Sequence, residues 1–551
     1  MKLFLTCILS VWIVSQKSAD AQAIQVNLQQ LNFGIAYENA PDSLPLTIQN
    51  LLNRTVTVTG LRFYSTYGSP AFSSPSTSFS IAAGSSTVMW VRFSPYHNIL
   101  HNSEMVIEND GLRGTVSVDL TGQGRFSNTY YNSTENTEEE SLKSAIHTLT
   151  GNNYVSLGYN TARDKMFMTI DNEAVNGQGA SQNTLESVYT GQQAIGYTDR
   201  TDCQNRFNFN TEHTWPQSLF SSNEPMVSDL HHLFPTDDNS NGERGNNPFG
   251  VVNNPSWSVG GSKSNNVIFE PRDAQKGRTA RAMIYFLLRY QNYSSFFTSQ
   301  ENILRTWHNN FPPTFIDKKR NDDIQAFQHN RNPFVDYPQF LDRITFLSGT
   351  SVAPVVRTID LPEDTILYGS IPVGSPTVFH YVVVNNGNAD VNLSNFGLDH
   401  PAELSFQSGG TNTTLAPGEA LGIDISCLPS TSGSLRGHLT FLTTATNHSS
   451  VTVPIFANDS VFTQVDEASP RHILVYPNPV QHDLSVDFGE GDAGLHAIHL
   501  FDCFGRELMS ATGISGSRFL LNMDAFATGN YLLRIESIQT GGVEYRNILK
   551  Y

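Results

Sequence analysis

Cysteine is nearly absent: the 551 residues hold four, at positions 7, 203, 427 and 503. Cys7 falls in the apolar N-terminal segment, and the other three are far apart and odd in number. That excludes a disulfide framework and a Cys-rich zinc site, so stability has to come from packed cores. Charge is also scarce, at 15% of residues, and its positive half is the smaller. Lys and Arg number 33 against 51 Asp and Glu, a formal net charge of −18. Attraction of the whole molecule to a polyanion is excluded; any such contact is local, through a basic patch or a metal. Beyond the N-terminal segment no apolar run is long enough to span a bilayer. Ser, Thr, Asn and Gly are abundant beside a 39% hydrophobic fraction. That mixture suits β-rich extracellular modules, and the length predicts about three to five domains.

The N-terminus, MKLFLTCILSVWIVSQKSADAQA, has a basic Lys2, an apolar run from Leu3 to Val14 and small residues at Ala19, Ala21 and Ala23. Residues 1–23 read as a secretory signal peptide. Residues 24–126 alternate apolar and polar side chains between turn signals, as in "LPLTIQN", "TVTVTGLRF" and "STVMWVRFSP", which predicts a β-sandwich. Residues 353–460 repeat that order. "FHYVVVNNGNADVNLSNFGL" parallels "LPLTIQNLLNRTVTVTGLRF", and "LAPGEALGIDISCLPS" parallels "IAAGSSTVMWVRFSP". Both segments resemble the immunoglobulin-like β-sandwich modules that flank secreted bacterial enzymes; a sandwich of another topology is the plainer reading. From 471 to 551 a third β pattern begins with Tyr476-Pro477-Asn478-Pro479, includes Gly529-Asn530-Tyr531 and ends near Lys550. It resembles the C-terminal sorting domain of the type IX secretion system. That resemblance implies export by the type IX machinery, removal of the domain and attachment to a surface glycolipid. A third structural sandwich is the alternative.

Residues 127–349 differ. "EEESLKSAIHTLTG" and "DAQKGRTARAMIYFLLRYQNY" carry helical periodicity, so an α+β domain is expected, and Arg272 to Arg289 with Lys318 to Arg320 give it local positive charge. Three runs here carry chemistry: "NTEHTWP" (residues 210–216), "SDLHHLFPTDDNSNGERGNNPFG" (228–250) and "HNRNPFVDYP" (329–338). Pro216 cannot continue a strand, so one ends near His213 and presents its side chains there. A neutral His takes a proton at neutral pH. Glu212 offers a hard oxygen suited to Mg²⁺ or Ca²⁺, and nearby Asn residues add neutral hard oxygens. That set fits phosphodiester hydrolysis.

Together with "FEPRDAQKGRTARAMIYF", these runs resemble the endonuclease I family of secreted bacterial nucleases, of the His-Me finger (ββα-metal) class. The resemblance implies His213 as general base and Glu212 and Asn241 as ligands of a Mg²⁺-type ion, Ca²⁺ or Mn²⁺ being alternatives. It further implies cleavage of DNA, and often RNA, with little sequence preference. Some members carry a long Cys- and Arg-rich insertion after the Glu-His motif; only residues 217–227 stand there in this chain. Arg244 and Arg281 are then the candidates for the substrate phosphate, with structural ion pairs as the rival role. His231 and His232 read as one buried and one partly buried histidine, and Asp237 and Asp238 as an acidic turn. Two other functions are open: a surface adhesin built on an inactive nuclease fold, and a zinc hydrolase using His213, His231 and His232, although no His-Glu-x-x-His pattern is present.

Overall fold

The computed structural model describes residues 23–459, except 65–69, 112 and 292–293, as one unit. A second unit, 460–551, is described from 473 to 550, except 477–479, 481, 489–494, 503–506, 517, 528 and 539–542. The expected signal peptide up to residue 22, Pro477 to Pro479 and Cys503 lie outside the described residues.

Alternation builds the N-terminal sandwich. In Ser86–Phe93 the side chains of Met89, Val91 and Phe93 are buried, while Val88 and Trp90 face out. One sheet has the order Ile24–Val26, Asp42–Asn50, Ser86–Phe93, Phe72–Ser73. The other has the order Gln30–Tyr37, Val116–Arg125, Leu100–Asn109, Val56–Phe63, Phe79–Ile81. The later sandwich repeats this strand for strand. Its sheets run Ile359–Asp360, Thr377–Asn385, Ala420–Cys427, Leu404–Ser408, and Ile366–Leu367, Ser450–Ala457, Leu435–Thr443, Val391–Leu398, Thr413–Leu415. The parallel pair recurs too, Gln30–Tyr37 with Val116–Arg125 and Ile366–Leu367 with Ser450–Ala457. So does an atomic detail. Asn50 and Asn385 end equivalent strands, are fully buried, and donate Nδ2 to Ile81 O (2.9 Å) and Leu415 O (2.8 Å).

The two sandwiches meet. Gly114 bridges His380, whose N–H donates to Arg113 O at 3.2 Å. With φ +88° and a carbonyl oxygen 1.8 Å from where a Cβ would stand, position 114 admits only glycine. Arg62 and the Tyr64 hydroxyl both reach Asp360, at 3.0 and 2.7 Å. Beside this junction Glu104 is buried directly opposite Asp119. Burial, followed by the hydrogen bond that the protonated carboxyl donates to Asp119 and by the charge of Asp119, raises its pKa to about 9. The folded chain thus keeps a proton that the unfolded chain has released. Stability is full below about pH 4.5 and falls as pH rises toward 9, by at most about 1.4 kcal/mol per pH unit. Glu104→Gln should therefore raise the melting temperature at pH 8 and change it little at pH 4.5. Thermal melts at the two pH values check this; a variant less stable than wild type at pH 8 contradicts it.

The middle region packs around the helix Asp273–Tyr290. Met283, Ile284, Tyr285, Phe286 and Leu287 are all buried, so this helix is enclosed on every side. The helices Glu139–Gly151 and Glu301–Asn310 lie against it. Two antiparallel strands, Phe209–His213 and Leu233–Asp237, lead into the short helix Asp238–Arg244. The N-terminal sandwich is joined closely to this region: Phe126 stacks on Tyr337 at 3.7 Å between ring centres. The Glu38 carboxylate accepts from Ser127 N and the Tyr337 hydroxyl, both at 2.9 Å.

In the second unit the sheets run Leu474–Tyr476, Asp483–Asp487, Arg518–Asn522, and Glu507–Ile514, His496–Asp502, Gly529–Ser537, Val543–Lys550. Leu484, Val486, Ile498, Leu500, Leu533, Ile535 and Ile548 form its core. The chain is thus a multidomain, β-rich protein with one helical region in its middle.

Candidate active site

Strand alternation divides the Glu212–His213 pair. Thr211 and His213 face one side of the strand and Glu212 the other. On its side Glu212 is 2% exposed, and one oxygen, Oε1, meets both the Arg244 Nε (2.9 Å) and the Tyr189 hydroxyl (2.7 Å). Burial raises the Glu212 pKa, opposed by the Arg244 charge and by the hydrogen bonds from Tyr189 and Arg244. The second oxygen, Oε2, makes no hydrogen bond among the described residues.

Arg244 is itself fully buried. It donates to Thr214 O at 2.7 Å and Gly245 O at 2.9 Å, and its guanidinium lies 4.5 Å from the Phe249 ring centre. Asn241 stands one turn earlier on the same helix, half-buried, its Nδ2 3.5 Å from Thr211 O. Asn241 Oδ1 makes no hydrogen bond among the described residues. Asp237 caps this helix, accepting from Ser240 N at 2.8 Å and from the Ser187, Thr190 and Ser240 hydroxyls. Asp238 accepts from Asn210 Nδ2 at 2.6 Å. Both acids are therefore committed to the turn.

The His213 ring has a defined tautomer. Nε2 lies 3.1 Å from Val227 O. A carbonyl only accepts, so Nε2 carries the hydrogen and Nδ1 the lone pair. Burial, then the charges of His232, Arg163 and Arg244, lower its pKa to about 3, against the Val227 hydrogen bond. The ring is neutral at neutral pH and has one open acceptor. Tyr159 lies 5.4 Å away, centre to centre.

The other candidates are engaged by their own partners, although the His232 ring lies only 5.6 Å from that of His213. His231 and His232 are both buried, each with Nε2 on a backbone carbonyl, Asn330 O (3.2 Å) and Met226 O (2.6 Å). The expected partial exposure of one is lost because Tyr285 covers His231 and Phe286 covers His232. Among the described residues no three His, Cys, Asp or Glu side chains are placed to share a metal. Arg281 is 2% exposed, donates to Phe311 O at 2.7 Å and pairs with Asp317. Neither Arg244 nor Arg281 thus turns a guanidinium outward.

Sequence reasoning passed over Arg163, on the helix Tyr159–Lys165. Its Nε donates to Thr211 Oγ1 at 3.1 Å. The i, i+4 spacing puts Tyr159 and Arg163 on one helix face, but with Asp164 next in the chain nothing in the sequence marks this arginine as available. Chemically the strand–strand–helix unit offers a neutral imidazole base and two uncommitted hard oxygens, Glu212 Oε2 and Asn241 Oδ1. One carboxylate and one amide oxygen fit a hard divalent cation that keeps several waters.

Comparison with known proteins defines the class. Residues 134–339 match the Endonuclease I family model, and residues 474–548 match the secretion system C-terminal sorting domain. A nuclease domain therefore occupies the middle of a chain that is secreted or held at the cell surface. The chain is 28% identical over 234 residues to the extracellular ribonuclease of Bacillus subtilis (strain 168), covering 39% of this chain and 78% of that protein. Identity and coverage are the same for the extracellular ribonuclease of Bacillus amyloliquefaciens. Solved structures align weakly. The PapD-like domain of human CEP192 covers 22% of this chain and 99% of its own at 11% identity and TM-score 0.18. A protein of unknown function from Porphyromonas gingivalis W83 covers 79% and 99% at 8% identity and TM-score 0.17. No helix among the described residues is long and apolar enough to cross a membrane.

Proposed function

We propose that the chain is a metal-dependent endonuclease that hydrolyses phosphodiester bonds of DNA, and also of RNA, with little sequence preference. The observation that carries this reading is His213: a neutral ring fixed through Nε2 on Val227 O, with Nδ1 open, on a strand–strand–helix unit that also bears Glu212 and Asn241. The arrangement supports a His-Me finger assignment. His213 takes a proton from the attacking water at Nδ1. Glu212 Oε2 and Asn241 Oδ1 would hold a Mg²⁺-type ion, Ca²⁺ or Mn²⁺ serving as alternatives. When bound, such an ion neutralises charge on the phosphodiester and stabilises the leaving oxygen. Arg244 holds Glu212 in place, and Tyr189 fixes the same carboxylate. RNA is included because the Bacillus relatives are named ribonucleases. The flanking sandwiches are read as immunoglobulin-like spacers, residues 1–23 as a signal peptide, and the C-terminal unit as the address for the type IX machinery with transfer to a surface glycolipid.

The test is cleavage of double-stranded DNA, single-stranded DNA and RNA by the purified chain with Mg²⁺, with EDTA, and with Mg²⁺ restored. Cleavage that EDTA abolishes and Mg²⁺ restores is the expected result. Binding without cleavage under all conditions would overturn the reading in favour of a surface adhesin.

A further inference from the structure

We propose that Arg163 grips the scissile phosphodiester through the two terminal nitrogens of its guanidinium, an inference that rests on the nuclease reading above. Three contacts hold the group. Its Nε donates to Thr211 Oγ1 at 3.1 Å, and its carbon lies 4.9 Å from the Tyr159 ring centre. The Tyr159 ring in turn lies 5.4 Å from the His213 ring. One edge and one face are thus fixed, and Nη1 and Nη2 make no hydrogen bond or ion pair among the described residues.

The neighbouring charges explain why. Asp164, next in the chain, is taken by Arg200 Nε at 2.6 Å. Four buried arginines of the domain are each paired with a carboxylate: Arg244 with Glu212, Arg281 with Asp317, Arg289 with Asp229 and Arg320 with Asp171. Arg163 stands half-buried near the His213 ring and forms no ion pair among the described residues, the acid that acts on its charge being Asp164, which Arg200 already engages. It is also tied to the metal side of the site. Thr211 meets Arg163 through its hydroxyl and Asn241 through its carbonyl. A group reaching both Arg163 and an ion on Asn241 would pass beside Thr211, which shares its strand face with His213. A braced guanidinium fork matches two phosphate oxygens, which a lysine ammonium cannot do. Its charge is best used where negative charge grows during the displacement.

The test uses the full chain with Arg163→Gln and Arg163→Lys, assayed on a fluorogenic DNA oligonucleotide with Mg²⁺. Binding of the same oligonucleotide is measured in EDTA at several salt concentrations, and thermal melting is followed for each variant. Arg163→Gln should lower kcat/KM about 100- to 1000-fold with little change in melting. Arg163→Lys should recover part of the loss, having the charge without the fork. The salt dependence of binding should fall by about one phosphate contact in the glutamine variant. A glutamine variant within threefold of wild type overturns the proposal, as does a lysine variant as active as wild type. If the wild-type chain cleaves nothing, the nuclease reading fails by itself. The salt dependence then still decides on Arg163, and equal slopes for wild type and Arg163→Gln refute it.

Discussion

Replacing His213 by alanine is expected to lower turnover by about 10²–10⁴, the usual contribution of a positioned base, while divalent-ion binding persists. The ring lies across the strand from Glu212, and its one protein hydrogen bond goes to Val227 O. Its loss therefore leaves Glu212 Oε2 and Asn241 Oδ1 in place. Asn241→Ala should behave differently. It removes a hard oxygen, so the ion binds more weakly and raised Mg²⁺ restores part of the rate. Extra Mg²⁺ cannot restore His213→Ala, because concentration does not replace a proton acceptor. Added imidazole can, by entering the space among Tyr159, Phe220 and His232 that the ring now fills. Initial rates of DNA cleavage against Mg²⁺ concentration for both variants make the comparison. Rescue of His213→Ala by metal, with none for Asn241→Ala, would exchange the two roles and sink the mechanism.

The parts of the fold that follow from local periodicity are legible in the sequence. Period-2 alternation marks the strands of both sandwiches, and the segments that parallel each other occupy equivalent strands. Pro216 marks a strand end, and the strand does end at His213. The apolar stretch after Asp273 is one helix, Asp273–Tyr290. What periodicity does not contain is the partner of a charge. Arg244 follows Glu212 by 32 positions and Arg163 precedes Thr211 by 48. Which arginine is neutralised and which is open depends on packing between elements. Nothing in "NGERGNN" or "YNTARDK" distinguishes a buried guanidinium from an available one. The opposed orientation of Glu212 and His213 is readable from alternation alone. Its consequence, a carboxylate bonded to a buried arginine behind the base, is not.

Arg244→Met is expected to destabilise the nuclease region by about 3–5 kcal/mol, the range for breaking a buried ion pair from one side. Glu212 would then be 2% exposed with Tyr189 as its remaining donor. Thr214 O and Gly245 O would also lose their guanidinium donors. A drop of roughly 10 °C in melting temperature follows for a region of this size. Adding Glu212→Gln removes the stranded charge, so the double variant should regain much of the lost stability, since two neutral groups cost less to bury than one ion. Activity should not return with it, because Glu212 is also the proposed carboxylate ligand. The two readouts separate the structural role from the alternative in which Arg244 contacts substrate phosphate. That alternative expects Arg244→Met to melt like wild type and to lose only turnover. A melting temperature within about 2 °C of wild type for the single variant would favour it and would mean that the Glu212–Arg244 pair is not what holds the carboxylate in place.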